Sequence, residues 1–190
     1  MSGLVRFRGR VFYRFRDVAA VKPRLEALRG DITAQTTDAV VNAANPALAR
    51  GAGVCGAIFA AAGPGLAEAC AAAGGCATGD AVATPGFGLA ARWIVHAVGP
   101  VWAGGDHGEP EALASAYRRS LEVADGLGAG SIAFPAISTG IFGYPLDQAT
   151  RVAVAACRAT DTEHVELVRF VCFDDGTLAA YEAELAGAET

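Results

Sequence analysis

The chain has 190 residues, of which 53% are hydrophobic and 18% charged, and its formal net charge is −5. This balance is typical of a compact α/β protein with one sizeable core, so we expect residues 1–190 to form a single domain. It excludes a disordered or fibrous chain, and the acidic charge disfavours a nucleic-acid binder, which usually presents a basic face.

The N-terminal region alternates arginine with apolar residues. Arginine occupies positions 6, 8, 10, 14 and 16, which predicts one or two strands over Val5–Phe15 with the arginines on the solvated face of an edge strand. The region lacks the continuous apolar segment of a secretion signal, and later apolar stretches are too short to span a bilayer. We therefore expect a cytoplasmic protein without a membrane partner.

The rest of the chain alternates short apolar runs with helical patterns, as in a sheet covered by helices on both faces. The predicted strands are Asp38–Ala43, Asp80–Thr84, Trp93–Val98, Ser131–Pro135 and Val165–Phe173. The predicted helices are Ile58–Ala73, with a break at Gly63–Pro64, then Pro110–Leu127, Pro145–Arg158 and Leu178–Leu185. The fold class is α/β.

Four loops that follow strands have unusual compositions. They are Gly30–Thr33, Asn42–Gly56, Pro135–Gly143 and Phe173–Gly176. In open α/β sheets the ligand crevice lies at the carboxyl ends of the strands, so these loops form the predicted site.

The segment Gly51–Gly56, GAGVCG, matches the dinucleotide fingerprint G-x-G-x-x-G. That fingerprint requires its first glycine directly after a strand, whereas NAANPALAR separates Gly51 from the predicted strand. A hydride-transferring dinucleotide site is therefore disfavoured. A glycine-rich turn that opens a helix still suits a phosphate, because it presents free N–H groups.

The segment Ser138–Gly143, STGIFG, follows a buried strand. Its glycines let backbone amides turn toward a ligand, and Ser138 and Thr139 add hydroxyl donors. Residues 131–148 contain no Lys or Arg, so a phosphate here would be bound by backbone N–H groups. An ordinary strand–turn–helix connection is an equal alternative.

Polar residues of the other loops also have two interpretations. Asn42 and Asn45 either stabilise a turn or offer amide groups to sugar hydroxyls. Asp31 is most simply a turn or helix cap, but in a nucleotide site its carboxylate can accept from an exocyclic amine.

The five cysteines contain no C-x-x-C pair, and the three histidines are far apart in the sequence. We therefore expect no metal, no disulfide framework and no cofactor. Four of the cysteines have the context of core residues, namely Cys70, Cys76, Cys157 and Cys172.

Five segments together resemble the macrodomain family, in the same order along the chain. They are GDIT at 30–33, DAVVNAAN at 38–45, GAGVCGAI at 51–58, WIVHAVGPVW at 93–102 and AFPAISTGIFGYP at 133–145. The resemblance runs from about Gly30 to Tyr181 and is strongest to the MacroD-like branch of ADP-ribosyl hydrolases. It implies a macrodomain, a three-layer α/β/α sandwich with a mixed central sheet and a crest-like cleft for ADP-ribose.

The resemblance also implies roles for individual residues. Asp31 would receive the adenine N6 amine, with the Ile32 amide beside the ring and Phe173 packed on it. Asn45 would bind the distal ribose, over which Phe142 closes. The two phosphate loops would comprise Gly53, Val54 and Gly56, and Ser138, Thr139, Gly140, Ile141 and Phe142. The implied catalytic set is Asn45, Cys55, Gly140 and Phe142.

Cys55 departs from the family pattern G-G-G-V-D-G, in which the Asp is the proposed catalytic carboxylate, and Ala52 replaces the middle glycine. Many relatives also carry a His and a basic residue where this chain has Phe59 and Ala60. A thiol is mostly protonated at pH 7 and is a poor water-activating base. Three interpretations remain: a passive residue beside a water activated by the ligand phosphate, a thiolate nucleophile, or a protein that has lost catalysis.

The expected function is binding of ADP-ribose and hydrolysis of the ester that links mono-ADP-ribose to Asp or Glu side chains. The expected partners are ADP-ribose and ADP-ribosylated proteins. The alternatives are a non-catalytic ADP-ribose reader module and an O-acetyl-ADP-ribose deacetylase.

Overall fold

The computed structural model describes residues 4–7, 10–13 and 20–187. Strands β1 (Leu4–Phe7) and β2 (Arg10–Tyr13) pair with each other as an antiparallel hairpin. This hairpin is a sheet of its own, so the two strands predicted within Val5–Phe15 form no edge of the main sheet. The expected solvent exposure of the arginine side chains falls outside the described residues and stays a prediction.

The main sheet has six strands in the order β3-β8-β7-β4-β6-β5. They are β3 (Arg24–Arg29), β4 (Ala39–Ala43), β5 (Ala81–Pro85), β6 (Trp93–Ala97), β7 (Ser131–Phe134) and β8 (Leu167–Cys172). All neighbours are parallel except β5, which runs antiparallel to β6. Hydrophobic β-branched and aromatic residues predominate in the four inner strands β4, β6, β7 and β8, as expected for strands buried on both faces.

Helices cover both faces of the sheet. After the short 3₁₀ helix η1 (Ile32–Ala34), they are α1 (Gly53–Ala62), α2 (Gly65–Ala73), α3 (Glu109–Gly126), α4 (Leu146–Ala159) and α5 (Asp175–Ala186). Alternate residues of β4 show the two cores, since Val40 packs with α1 and α2 and Val41 with α3, α4 and α5. The predicted α/β/α sandwich with a mixed sheet is confirmed.

The predicted break at Gly63–Pro64 separates α1 from α2. Gly63 has a φ of 87°, a left-handed conformation that favours glycine, and Pro64 begins the next helix. Among the described residues, no single helix is long and apolar enough to cross a membrane. Helices α1 and α2 together have the length and hydropathy for one, but they are bent by 116° at their junction.

Strand β3 was not predicted from the sequence. Its residues, RLEALR, include three charged side chains and are mostly half-buried, because β3 is an edge strand that pairs only with β8. The pattern therefore lacks the apolar alternation by which the other strands were recognised. All five cysteines are buried free thiols, which confirms Cys70, Cys76, Cys157 and Cys172 as core residues.

Candidate functional site

The four unusual loops lie side by side at the carboxyl ends of the strands, because they follow four neighbouring parallel strands. Along this edge the order is β3, β8, β7 and β4, with about 4.8 Å between neighbouring strands. The first two strands end together, since the Gly30 N–H donates to the Cys172 carbonyl at 3.0 Å. The loops thus form a row that begins at Gly30–Thr33 and ends at Asn42–Gly56.

A cleft of about 220 Å³ opens between the loops that follow β4 and β7. Its lining comprises Ala43, Ala44, Asn45, Gly51, Ala52, Gly53, Val54, Cys55, Gly99, Ala136, Ile137, Ser138, Gly140, Ile141 and Phe142. None of these lining residues carries a formal charge. Any anion bound among them would depend on backbone dipoles and neutral side chains.

One wall of the cleft is the N-terminus of α1. The N-cap residue Ala52 provides no side-chain acceptor. In the described part of the chain, no acceptor is found for the backbone N–H groups of Gly53, Val54 and Cys55. These N–H groups form the positive end of the helix dipole, which is a favourable position for a phosphate oxygen.

The opposite wall is a closed turn of the loop after β7. The Tyr144 N–H donates to the Ser138 carbonyl at 3.0 Å and the Gly143 N–H to the Gly140 carbonyl at 2.9 Å. Within residues 20–187, the backbone N–H groups of Gly140, Ile141 and Phe142 have no acceptor. Two sets of unpaired donors therefore face each other across one cleft.

A buried tyrosine holds the beginning of this loop. The Tyr117 hydroxyl of α3 lies 3.4 Å from the Pro135 carbonyl, accepts from the Ile137 N–H at 3.2 Å and contacts the Tyr181 hydroxyl at 3.2 Å. Burial raises the pKa of Tyr117 well above its usual value, so the hydroxyl stays neutral. The hydrophobic core thus fixes where the loop after β7 starts.

The two hydroxyls predicted as ligand donors differ in the structure. The Ser138 side chain is buried, and its Oγ has no hydrogen-bond partner among the described residues. The Thr139 hydroxyl does not line the cleft, and it donates to the Ala136 carbonyl at 2.9 Å. Of the two hydroxyls, Ser138 is therefore the one whose hydrogen-bonding capacity is unused among the described residues, and its residue lines the cleft.

The side chain of Asn45 lines the cleft but also closes its own loop. Its Nδ2 donates to the Ala49 carbonyl at 2.8 Å, and its Oδ1 accepts from the Ala49 N–H at 3.1 Å. One Nδ2 hydrogen and one oxygen lone pair remain for a sugar hydroxyl. The turn and ligand interpretations of this asparagine are compatible.

Cys55 lies at the base of the same loop with its side chain turned toward the backbone. The thiol is 5% exposed, and its Sγ accepts from the Gly51 N–H at 3.3 Å and lies 3.8 Å from the Ala49 carbonyl. These contacts bridge two points of the glycine loop. They favour the interpretation of Cys55 as a passive residue over that of a nucleophile.

The other predicted residues lie outside this cleft. Asp31 accepts from the Thr33 N–H at 2.8 Å and from its hydroxyl at 2.7 Å, which is the helix-cap role foreseen as the simpler alternative. Ile32 is buried in the core, and Phe173, directly after β8, is 88% exposed. These three residues follow the neighbouring strands β3 and β8, and we call this end of the row the shelf. Gly56 packs in α1, where a Cβ would lie 2.8 Å from the Gly51 carbonyl oxygen.

Several lining residues were not assigned an individual role in advance. Six of them belong to the predicted loops, namely Ala43, Ala44, Gly51, Ala52, Ala136 and Ile137, and Gly99 lies outside those loops. Small and apolar side chains carry no chemical signal, so only their position after β4, β6 and β7 could have indicated them. Gly99 was the most accessible to prediction, because it directly follows the predicted strand Trp93–Val98.

Apart from Cys55, the titratable residues of the described chain do not line the cleft. His96 is fully buried between β4 and β5, within 3.1 Å of the Asn42 amide and 2.9 Å of the Thr84 hydroxyl. No group of three or more His, Cys, Asp or Glu that could hold a metal ion occurs among the residues described. The cleft thus offers anion-binding donors and no side-chain general base.

Known proteins with this fold have similar sequences. The chain is 51% identical over 164 residues to a macro domain-containing protein of Chlorobaculum tepidum, covering 85% of this chain and 95% of the relative. It is 49% identical to an O-acetyl-ADP-ribose deacetylase of Salmonella typhimurium, covering 83% and 92%.

Two solved structures are also similar. The Oceanobacillus iheyensis macrodomain with ADP has a TM-score of 0.80 and 37% identity, covering 89% of this chain and 96% of that one. The Trypanosoma brucei macrodomain in complex with ADP-ribose has a TM-score of 0.78 and 38% identity, covering 85% and 68%. The Macro domain family model matches residues 41–153, which span the cleft, and the chain belongs to the Macro domain family.

Proposed function

We propose that this protein binds ADP-ribose and hydrolyses the ester that links mono-ADP-ribose to Asp or Glu side chains of proteins. The observation that carries the proposal is the pair of unpaired N–H sets on the two walls of the cleft, at Gly53–Cys55 and Gly140–Phe142. Such donors suit a pyrophosphate, which needs many hydrogen bonds from a site without cationic side chains.

The row of loops suggests how the ligand lies. The adenine would occupy the exposed shelf, between the Asp31 carboxylate and the Phe173 ring. The pyrophosphate would lie between the two walls, and the distal ribose beside Asn45 and Phe142. The Trypanosoma brucei relative in complex with ADP-ribose supports this choice of ligand class.

The chemistry would not depend on a protein base. A water held between a ligand phosphate and the loop amides would attack the ester, with the phosphate accepting its proton. The acyl–oxygen bond breaks, the ribose oxygen takes up a proton, and the products are ADP-ribose and a free carboxylate. The role of the protein is to position the water and the sugar and to stabilise the developing negative charge with backbone dipoles.

A second substrate fits the same cleft. O-acetyl-ADP-ribose carries an ester on the same sugar, and the Salmonella typhimurium relative is named an O-acetyl-ADP-ribose deacetylase. Hydrolysis of this small ester would release acetate and ADP-ribose by the same balance of bonds. Both substrates are esters of the distal ribose of ADP-ribose, so they can be compared directly in one assay.

The test is a single-turnover assay with the protein in excess over a substrate protein mono-ADP-ribosylated on Glu, with O-acetyl-ADP-ribose in parallel. We expect release of ADP-ribose from both. Release from the acetyl ester alone would contradict the protein-directed part of the proposal. Failure with both substrates, alongside measurable ADP-ribose binding, would make the protein a reader.

Gly140 offers a variant that separates the cleft from the fold. A Cβ on Gly140 would meet no atom within 4 Å, and its φ is not in the left-handed region. Gly140→Val should therefore fold normally but obstruct the cleft and abolish both binding and release. The matched control is Gly126→Val in α3, where a Cβ also meets nothing within 4 Å.

The alternative function, a non-catalytic ADP-ribose reader, is supported by the orientation of the Cys55 thiol toward the backbone of its own loop. Its direct test is Cys55→Asp, which introduces the carboxylate of the MacroD-like pattern. A rise in release from near zero would identify the natural protein as a reader, whereas a modest change would support catalysis without a carboxylate.

A further inference from the structure

Glu109, at the first turn of α3, is a buried carboxylate that binds only backbone. Its Oε1 accepts from the N–H groups of Ala103 at 2.9 Å and Gly105 at 3.1 Å, and its Oε2 accepts from the His107 N–H at 2.7 Å. Burial on its own raises the pKa of a carboxyl, but the surrounding backbone N–H groups lower that of Glu109 to about 2. One ionised side chain thus ties down residues 103–107.

Trp102 joins this loop to the phosphate loop of the cleft. Its backbone N–H donates to the Phe142 carbonyl at 2.8 Å, and its ring lies 4.5 Å from the Tyr144 ring between centroids. The next residue, Ala103, is already held by Glu109. Phe142 and Tyr144, two residues of the closed turn, therefore touch Trp102.

We propose that Glu109 is a positioning residue for the candidate site, which acts through Trp102 to fix Phe142 and the closed turn of the phosphate loop. Glu109 does not line the cleft. Glu109 fixes residues 103–107, and the neighbouring Trp102 in turn supports the wall of the cleft at Phe142. The effect on loop position is independent of the function proposed above, whereas the effect on turnover rests on it.

The first variant is Glu109→Gln, which keeps the size of the side chain. In either orientation of the new amide, its NH₂ group replaces a carboxylate oxygen that accepted from a backbone N–H. Two donors then face each other, and that hydrogen bond is lost. We expect hydrogen exchange of the Trp102 and Tyr144 amides, measured by NMR, to accelerate about tenfold or more, because bonds to a charged acceptor are among the strongest in a protein.

Asp125, near the other end of α3, provides a matched control. Its carboxylate accepts from the backbone N–H groups of Glu163, His164 and Val165 at 2.7–3.0 Å, far from the cleft along the same helix. Asp125→Asn should accelerate exchange at residues 163–165 and leave the amides of Trp102 and Tyr144 as in the unmodified protein.

A second variant reaches Trp102 from the other side. Gly105 has a φ of 96°, and a Cβ on it would lie 2.8 Å from the Trp102 ring. Gly105→Ala should therefore displace the ring and strain the loop that Glu109 holds, and it should accelerate exchange of the Tyr144 amide. This variant keeps the test decisive if Glu109→Gln folds poorly.

Turnover is the second measurement. Phe142 is proposed to contact the reacting sugar and not the adenine, so Glu109→Gln should lower kcat about tenfold with KM within about threefold. Asp125→Asn should change neither. Faster exchange confined to residues 103–107, with the Trp102 and Tyr144 amides unaffected, would overturn the positioning role. Because exchange needs no substrate, that result is independent of whether the protein is an ester hydrolase.

Discussion

Gly99 and Ser138 lie so close beneath the cleft that a Cβ on Gly99 would be 2.2 Å from the Ser138 hydroxyl oxygen. Gly99 follows β6 and Ser138 follows β7, on either side of β4. Ser138 has a φ of 68°, which is uncommon for a residue with a side chain, so its position is imposed by the surrounding structure. The absence of a side chain at residue 99 is what leaves room for the buried hydroxyl.

Gly99→Ala tests this relationship. The new methyl group must displace Ser138, and we expect the free energy of unfolding to fall by about 1–3 kcal/mol through overpacking. ADP-ribose affinity should weaken about tenfold, as the phosphate loop shifts. Denaturant titration measures the change in the free energy of unfolding, and titration calorimetry measures the change in ADP-ribose affinity. Gly126→Ala, at an open helical position, is the control and should change stability by less than about 1 kcal/mol.

Ser138→Ala separates binding from stability. The Ser138 Oγ is buried and has no partner within residues 20–187, so its removal should leave the free energy of unfolding unchanged or raise it by up to about 1 kcal/mol. Affinity for ADP-ribose should fall about tenfold, because the ligand loses a hydroxyl contact. The comparison variant is Ser120→Ala, whose hydroxyl donates to the Ala116 carbonyl at 2.7 Å and which should lose stability without losing affinity.

Cys55→Ala tests the role of the thiol. Its Sγ is directed at Gly51 and Ala49, so we expect release of ADP-ribose to stay within about threefold of the natural protein. Stability should fall by about 1 kcal/mol as the buried sulfur is lost. Cys70→Ala, at a core position in α2, should lower the free energy of unfolding by a similar amount. Complete loss of release in the Cys55 variant alone would indicate a thiolate nucleophile.

The buried imidazole of His96 should make the free energy of unfolding depend on pH. Burial lowers the pKa of His96 from 6.5 to about 4, so the folded protein keeps the ring neutral where the unfolded chain is protonated. The unfolded state therefore binds more protons between pH 6.5 and about 4, and stability falls as pH decreases through that interval, by up to about 3 kcal/mol.

The measurement is the midpoint of urea unfolding at several values between pH 7 and 5. His96→Gln should flatten the pH dependence over this interval. A slope that is the same in the natural protein and in the His96 variant would show that another group titrates.

Much of the fold could be predicted because the signals are local. Trp93–Val98 and Ser131–Pro135 carry runs of apolar residues bounded by turns, and Gly63–Pro64 ends one helix and begins another. Strand β3 has no such signal, since the burial of its half-polar residues comes from β8, more than a hundred residues later in the chain. Edge strands of this kind become recognisable only when their partner is known.

The sequence predicted the location of the site better than the state of its individual side chains. The loops were predicted, because strand ends and glycines mark them in the sequence. The separate states of Ser138 and Thr139 were not, since hydroxyl hydrogen bonds depend on rotamers and on the turn of the backbone. Glu109 carried no signal at all, because an acidic residue in the first turn of a helix is common on any surface.

The sequence by itself determined the α/β class, the glycine loops and the macrodomain resemblance, which depend on local periodicity and on the order of short motifs. Only the tertiary structure decided that Cys55 turns into its loop, that Gly99 makes room for Ser138, and that Glu109 reaches the cleft through Trp102. The reason is physical. These relationships are contacts of a few ångströms between side chains and backbone, and their geometry is set by how whole elements pack.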